Sequence, residues 1–202
     1  MNSNIQCCAR LLNWPTVKIT LEIQKMLNNK LSGQFENLLE QFIDFAGENP
    51  DINALCEIYN FFSSPEDKIK LLTSINCMAF TEATNYVNDN FEKIYPIINQ
   101  LLKWAEELNI TADILAGNDY LAFVNCDNID VRNLLWSKAG QEQKIEMLRA
   151  WDYSSFKTAT NKEEINQLLS WGVELHMELE LLLQDNLHRY FQAIIILLFT
   201  ML

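Results

Sequence analysis

The sequence predicts an all-α fold of stacked helical hairpins, an α-solenoid, with a compact helical bundle formed by duplication as the alternative arrangement. Three observations carry this expectation. Only five Gly and four Pro occur in 202 residues, too few for a β-rich chain full of tight turns. Helix-start signals recur along the chain, enough for roughly ten helices, and no convincing strand pair is found. One eleven-residue phrase is written twice, INQLLKWAEEL at 98–108 and INQLLSWGVEL at 165–175, with eight positions identical.

Residues 1–34 are expected to form an N-terminal helical segment and residues 35–202 a series of divergent helical repeats. The start, MNSNIQCCARLLNW, has no basic beginning followed by a long apolar run, so it does not read as a secretory signal. Ser32 is placed to cap GQFENLLEQFIDFAG, which should close at Gly47. Asn49-Pro50 is placed to open DINALCEIYNFF. Ser64-Pro65-Glu66-Asp67 is a stronger start: a hydroxyl cap, a proline with its φ already set, then two acids facing the positive helix end. Thr111 with Asp113 reads as the next cap. Asp127 or Asn128 should begin IDVRNLLWSKAG, ending at Gly140. Asn161 with Glu164 resembles a capping box for the second INQLL segment. The final run, Ala193 to Leu202, carries no charge. As a helix it would rise only about 15 Å, half a bilayer's hydrocarbon thickness, so a spanning anchor is disfavoured and burial of a C-terminal helix over 186–202 is expected.

The duplication extends beyond the shared phrase. Residues 68–85 align without gaps to 144–161, matching at seven of eighteen positions, among them Phe80/Phe156, Ala83/Ala159 and Asn85/Asn161. The offset is 76 there and 67 at the INQLL phrase, so the first copy holds nine extra residues within YVNDNFEKIYPI. In each phrase Ile98, Leu101, Leu102, Ala105 and Leu108, or Ile165, Leu168, Leu169, Gly172 and Leu175, make one helical stripe with Trp104 or Trp171 at its border. Paired leucines at 38–39, 71–72, 101–102, 134–135, 168–169 and 197–198 recur at intervals of 29 to 34 residues, the size of a helix–turn–helix repeat.

Composition narrows the function classes. A net charge of −12 repels phosphates, which disfavours nucleic acid and anionic membranes as partners; it is compatible with a partner of basic surface, though solubility alone accounts for it. Five cysteines, an odd number without a CxxC pair, read as free thiols in a reducing cytoplasm. His176 and Glu180 sit one turn apart, yet no further ligand set accompanies them or His188, so no metal is expected. Cys126, Asp127 and Asp130 in NCDNID read as a helix cap, because the aspartates oppose a thiolate. No phosphate loop, dinucleotide fingerprint or nucleophile elbow occurs, and neither a cofactor nor a catalytic set is expected. Acid pairs Glu106-Glu107 and Glu163-Glu164 read as solvated helix faces.

Phe80-Thr81-Glu82-Ala83, Phe156-Lys157-Thr158-Ala159 and Tyr190-Phe191-Gln192-Ala193 resemble the inner-helix anchor of ankyrin-type repeats. Residues 67–72, Pro96 to Leu102 and Glu163 to Leu169 are similar to the outer helix with its double leucine, although no T-P-L-H occurs anywhere. Divergent repeats of this kind resemble those in effector proteins of intracellular bacteria. The resemblance implies a non-catalytic protein–protein interaction module, an effector or scaffold, that is cytoplasmic or delivered to a host cytosol. The alternatives are a helical enzyme or enzyme-regulatory domain with an interhelical site, and a peripheral membrane protein using its apolar C-terminal helix. Aromatics are favoured interface anchors, which makes Tyr86, Phe91, Tyr95, Tyr120, Trp151 and Tyr153 the candidate partner-binding residues. A second copy of the chain is a further candidate partner for the C-terminal helix.

Overall fold

The computed structural model describes residues 21–159 and 162–177. The expectations for Asn161, Glu180, His188, Tyr190 to Ala193 and the C-terminal helix therefore lie outside the described residues. The chain divides into two compact units, Met1–Leu38 and Leu39–Leu202. The described part of the first, residues 21–38, is entirely helical and begins helix α1 (Leu21–Ala46). Helix α1 runs straight through Ser32, so that residue is not a cap. The next turn has only one unfavourable residue, Gly33, and a single helix-interior Gly costs about 1 kcal/mol.

The second unit continues with α2 (Ile52–Phe61), α3 (Pro65–Asn85), α4 (Phe91–Glu107), α5 (Thr111–Val124), α6 (Ile129–Lys138), α7 (Gln141–Thr158) and α8 (Lys162–Glu174). Every element among the described residues is helical, as expected. None of these helices is long and apolar enough to cross a membrane.

Among the described residues, α2, α3 and α6 start on an N-cap side chain that accepts from the first turn. Asp51 Oδ1 accepts from the Asn53 and Ala54 amides at 2.9 and 3.1 Å, so the cap of α2 is Asp51 and not Asn49. Ser64 Oγ accepts from Asp67 N at 3.0 Å, with Pro65 opening α3. Asn128 Oδ1 accepts from Asp130 N and Val131 N, both at 3.1 Å. Thr111 proves to be the first helical residue of α5, behind an uncapped Ile110. Removing the cap hydroxyl or amide in Ser64→Ala or Asn128→Ala is expected to cost about 1 kcal/mol each, read as a lower urea midpoint at unchanged slope.

Trp104 and Trp171 occupy matching surroundings. Trp104 of α4 stacks on Tyr59 of α2 at 3.8 Å between centroids and 8°, with Phe42 beside it at 6.3 Å. Trp171 of α8 stacks on Trp136 of α6 at 4.4 Å and 13°, with Phe123 beside it at 6.0 Å. Each stack is completed by a lysine from the gapless alignment: Lys68 Nζ lies 4.5 Å from the Tyr59 ring centroid and Lys144 Nζ 5.2 Å from that of Trp136. Two sets of residues thus build one motif twice: lysine, aromatic, tryptophan, phenylalanine. The nine extra residues of the first copy go into the turn at 86–90 and a longer helix, 17 residues in α4 against 13 in α8. Pro96 falls in the second turn of α4, not at its start.

Candidate functional site

Helices α3, α5 and α7 share an unusual feature, and α5 packs between the other two. Each is interrupted by one extended residue followed by three left-handed ones. The extended residues are Ser74, Gly117 and Ala150, at ψ 144, 131 and 136. The left-handed residues are Ile75-Asn76-Cys77, Asn118-Asp119-Tyr120 and Trp151-Asp152-Tyr153, with φ between 49 and 63. Left-handed backbone costs a non-glycine residue about 1–2 kcal/mol, least for Asn and Asp, whose short polar side chains bond locally. The middle position of every break is Asn or Asp. Ahead of the first break, Thr73 Oγ1 donates to the Ile69 carbonyl at 2.9 Å and Ser74 Oγ to that of Lys70, satisfying acceptors from within the turn.

The breaks lie at intervals of 43 and 33 residues, which together make the 76-residue offset of the gapless alignment. Each reads small residue, any, Asn/Asp, Cys/Tyr, any, Ala/Ser, Phe: Ser74 to Phe80, Gly117 to Phe123, Ala150 to Phe156. The three phenylalanines are at most 1% exposed and anchor the helix beyond each break. Neighbouring breaks touch. Gly117 approaches so closely that a Cβ there would lie 2.6 Å from Cys77 Cβ. Across the other seam the Trp151 indole N–H donates to the Asp119 carbonyl at 3.1 Å. The Cys77 thiol donates to the Asp113 carbonyl at 3.6 Å, and Gln143 Nε2 to that of Ala112 at 3.0 Å.

The outcome is a strip crossing three helices. Ile75, Asn76, Asp119, Trp151 and Asp152 are exposed, and Asn118 half so, while Cys77, Tyr120 and Tyr153 turn inward. Among the described residues four large apolar side chains are exposed, Phe61, Ile75, Trp151 and Val173, and two of them stand on this strip. Asp152 is paired with Lys157 Nζ at 2.7 Å.

The candidate aromatics divide. Trp151, 52% exposed, lies on the strip. Tyr120 is half-buried at the middle break; burial, then the negative Glu146, raise its hydroxyl pKa, against a hydrogen bond with Gln143 that lowers it. Tyr153 is 6% exposed and packs near Phe156 at 6.5 Å, a core position that leaves little ring for a partner. Phe91 and Tyr95 stack on each other at 5.0 Å on the first turns of α4, and Tyr86 is the half-buried residue that ends α3. The structure does not bring these last three onto the strip. Sequence reading missed Ile75, Asn76, Asn118, Asp119 and Asp152. Placing residues 111–128 between the two aligned segments was the signal available for them.

Elsewhere the chemistry is that of a core. Cys126 is fully buried; its thiol donates to the Asn128 carbonyl at 3.5 Å, and burial above all pushes its pKa up to about 11, which is the opposite of an activated nucleophile. Cys77 is likewise raised to about 11, by burial and then Asp113. Arg132, 1% exposed, stacks near Phe123 at 5.8 Å, and its Nε and Nη2 have no hydrogen-bond partner. Glu164 is 5% exposed and so belongs to no solvated acid pair, whereas Glu106 meets Lys138 Nζ at 2.5 Å. Among the described residues no three His, Cys, Asp or Glu side chains form a metal-holding group.

A separate cleft of about 270 Å³ is lined by Glu40, Ile43, Asp44, Glu48, Met78 and Glu82. Burial, then the nearby Glu48, hold the Glu82 carboxyl above its ordinary pKa. The folded state therefore keeps this proton more tightly than the unfolded chain. Its contribution is fully present below the unfolded pKa and is lost as pH rises through the raised value. Glu82→Gln is expected to raise stability at pH 7, and the gain should vanish below about pH 4. Urea denaturation at the two pH values checks this; an equal gain at both would contradict it.

Comparison with protein-family models, with curated proteins and with solved structures finds no match to this chain.

Proposed function

We propose that this chain is a non-catalytic protein–protein interaction module, a scaffold of stacked divergent helical hairpins of the ankyrin-like kind, which binds its partner across the strip of helix breaks. One observation carries the reading. Three strained breaks occur in register, and each turns two residues outward. A single break would pass as a local irregularity. Three copies at equivalent positions, each costing backbone energy, are expected where the displayed residues matter. A repeat array offers its partners one face made of equivalent positions from successive units, and the strip has that form. Half-exposed Trp151 supplies the rigid aromatic anchor that interfaces favour.

Affinity capture from the native cell tests it. The double variant Ile75→Ser/Trp151→Ala should lose proteins that the parent chain and the control Phe61→Ser both retain. Capture by the double variant equal to that of the parent would refute the strip as the binding face.

A further inference from the structure

The strip's spacing, charge and free indole face define a partner chemistry, an assignment that rests on the strip being the binding face. Asp119 and Asp152 stand on neighbouring packed helices, whose axes ordinarily lie about 8–10 Å apart. A polyproline II segment, with three residues per turn and about 3.1 Å per residue, returns to the same face every 9 Å or so. A β-strand does so about every 7 Å, a shorter step. The middle residues Asn76, Asp119 and Asp152 place two carboxylates on successive helices, within a chain of net charge −12. The cations on these turns are already engaged, Lys157 with Asp152 and Arg149 with Glu146 at 3.4 Å, so a partner's cation at the exposed Asp152 shares that carboxylate with Lys157. The Trp151 N–H is used on Asp119, so the surface this side chain offers is its ring face. Such a face takes a proline ring or the stem and charge of a lysine or arginine.

We propose that the strip binds an extended, proline-containing basic segment of a partner protein, with Lys or Arg at every third residue meeting Asp119 and Asp152 and a proline packed on Trp151. A helical partner can also match the interval, at seven residues, but presents no flat ring to the indole.

Synthetic (Pro-Pro-Lys)₄ is the probe, with (Pro-Pro-Glu)₄ as charge control and a basic helix-forming peptide of equal charge as conformational control. Binding is read in amide NMR spectra of the full chain. The expected result is movement of the Trp151 indole resonance and of amides 75–76, 118–119 and 151–152. Affinity should fall at least about tenfold in Trp151→Ala and, as a surface change that keeps the core intact, in Asp119→Asn/Asp152→Asn, while the acidic peptide should not bind. Unchanged affinity in these variants, shifts spread over other acidic surfaces, or no binding at millimolar peptide would overturn the proposal. Tighter binding of the helical peptide at the same residues would overturn the extended partner and leave the strip standing as the binding face. Unaltered protein capture by the strip variants, in contrast, would remove the strip itself.

Discussion

Trp171→Ala is expected to lower stability by about 3–5 kcal/mol, the range for truncating a fully packed aromatic. The ring is 4% exposed and lies against Trp136 and Phe123, so its loss empties a space bounded by two rigid aromatics that cannot collapse into it. Trp104→Ala should cost a similar amount, because the 6% exposed Trp104 holds the equivalent place against Tyr59 and Phe42. Trp171→Phe should recover part of the loss, since an aromatic face is kept. Urea denaturation of the three variants checks the set. A cost below about 1 kcal/mol at either tryptophan would mean that the two stacks are not equivalent core positions.

Gly117→Val should be comparably damaging, and Gly117→Ala should cost about 1–3 kcal/mol. Gly117 sits at φ −51 and ψ 131, a conformation open to any residue. On backbone entropy alone, Ala there would gain stability. The sign reverses because the new Cβ would stand 2.6 Å from Cys77 Cβ and 2.9 Å from the Asn76 carbonyl oxygen, and backbone cannot swing aside as a flexible side chain does. Cys77→Gly removes one of these obstacles and also relieves a left-handed residue at φ 63. A double-mutant cycle between Gly117→Ala and Cys77→Gly should therefore show favourable coupling of about 1 kcal/mol or more. Strictly additive costs would mean that the two breaks do not touch.

The all-α class was legible because its signals are local: scarce Gly and Pro, and caps such as Ser64 and Asn128 that act within one turn. Trp104 and Trp171 were legible as counterparts because the same phrase surrounds both. The breaks were not. Ile75-Asn76-Cys77 and Trp151-Asp152-Tyr153 contain no Gly or Pro, the usual sequence marks of an interrupted helix. The middle copy, residues 111–128, is identical to both neighbours only at Leu115, Phe123 and Asn128, so identity counting passes over it. Glu164 and Tyr153 were misplaced for a related reason: a charge or hydroxyl at a helix border reads as solvated until a neighbouring helix covers it. The candidate aromatics gave one strip residue, Trp151, and one beside it, Tyr120.

The register of the three breaks is tested most directly by NMR on the full chain. A left-handed residue brings its amide hydrogen close to its own Hα, which gives a strong intraresidue cross-peak and interrupts the helical run of Cα shifts. The structure requires this signature at 75–77, 118–120 and 151–153 together, with ordinary helical shifts resuming by Phe80, Phe123 and Phe156. Uninterrupted right-handed helical shifts through any of the three segments would contradict the stacked breaks, and the binding strip with them.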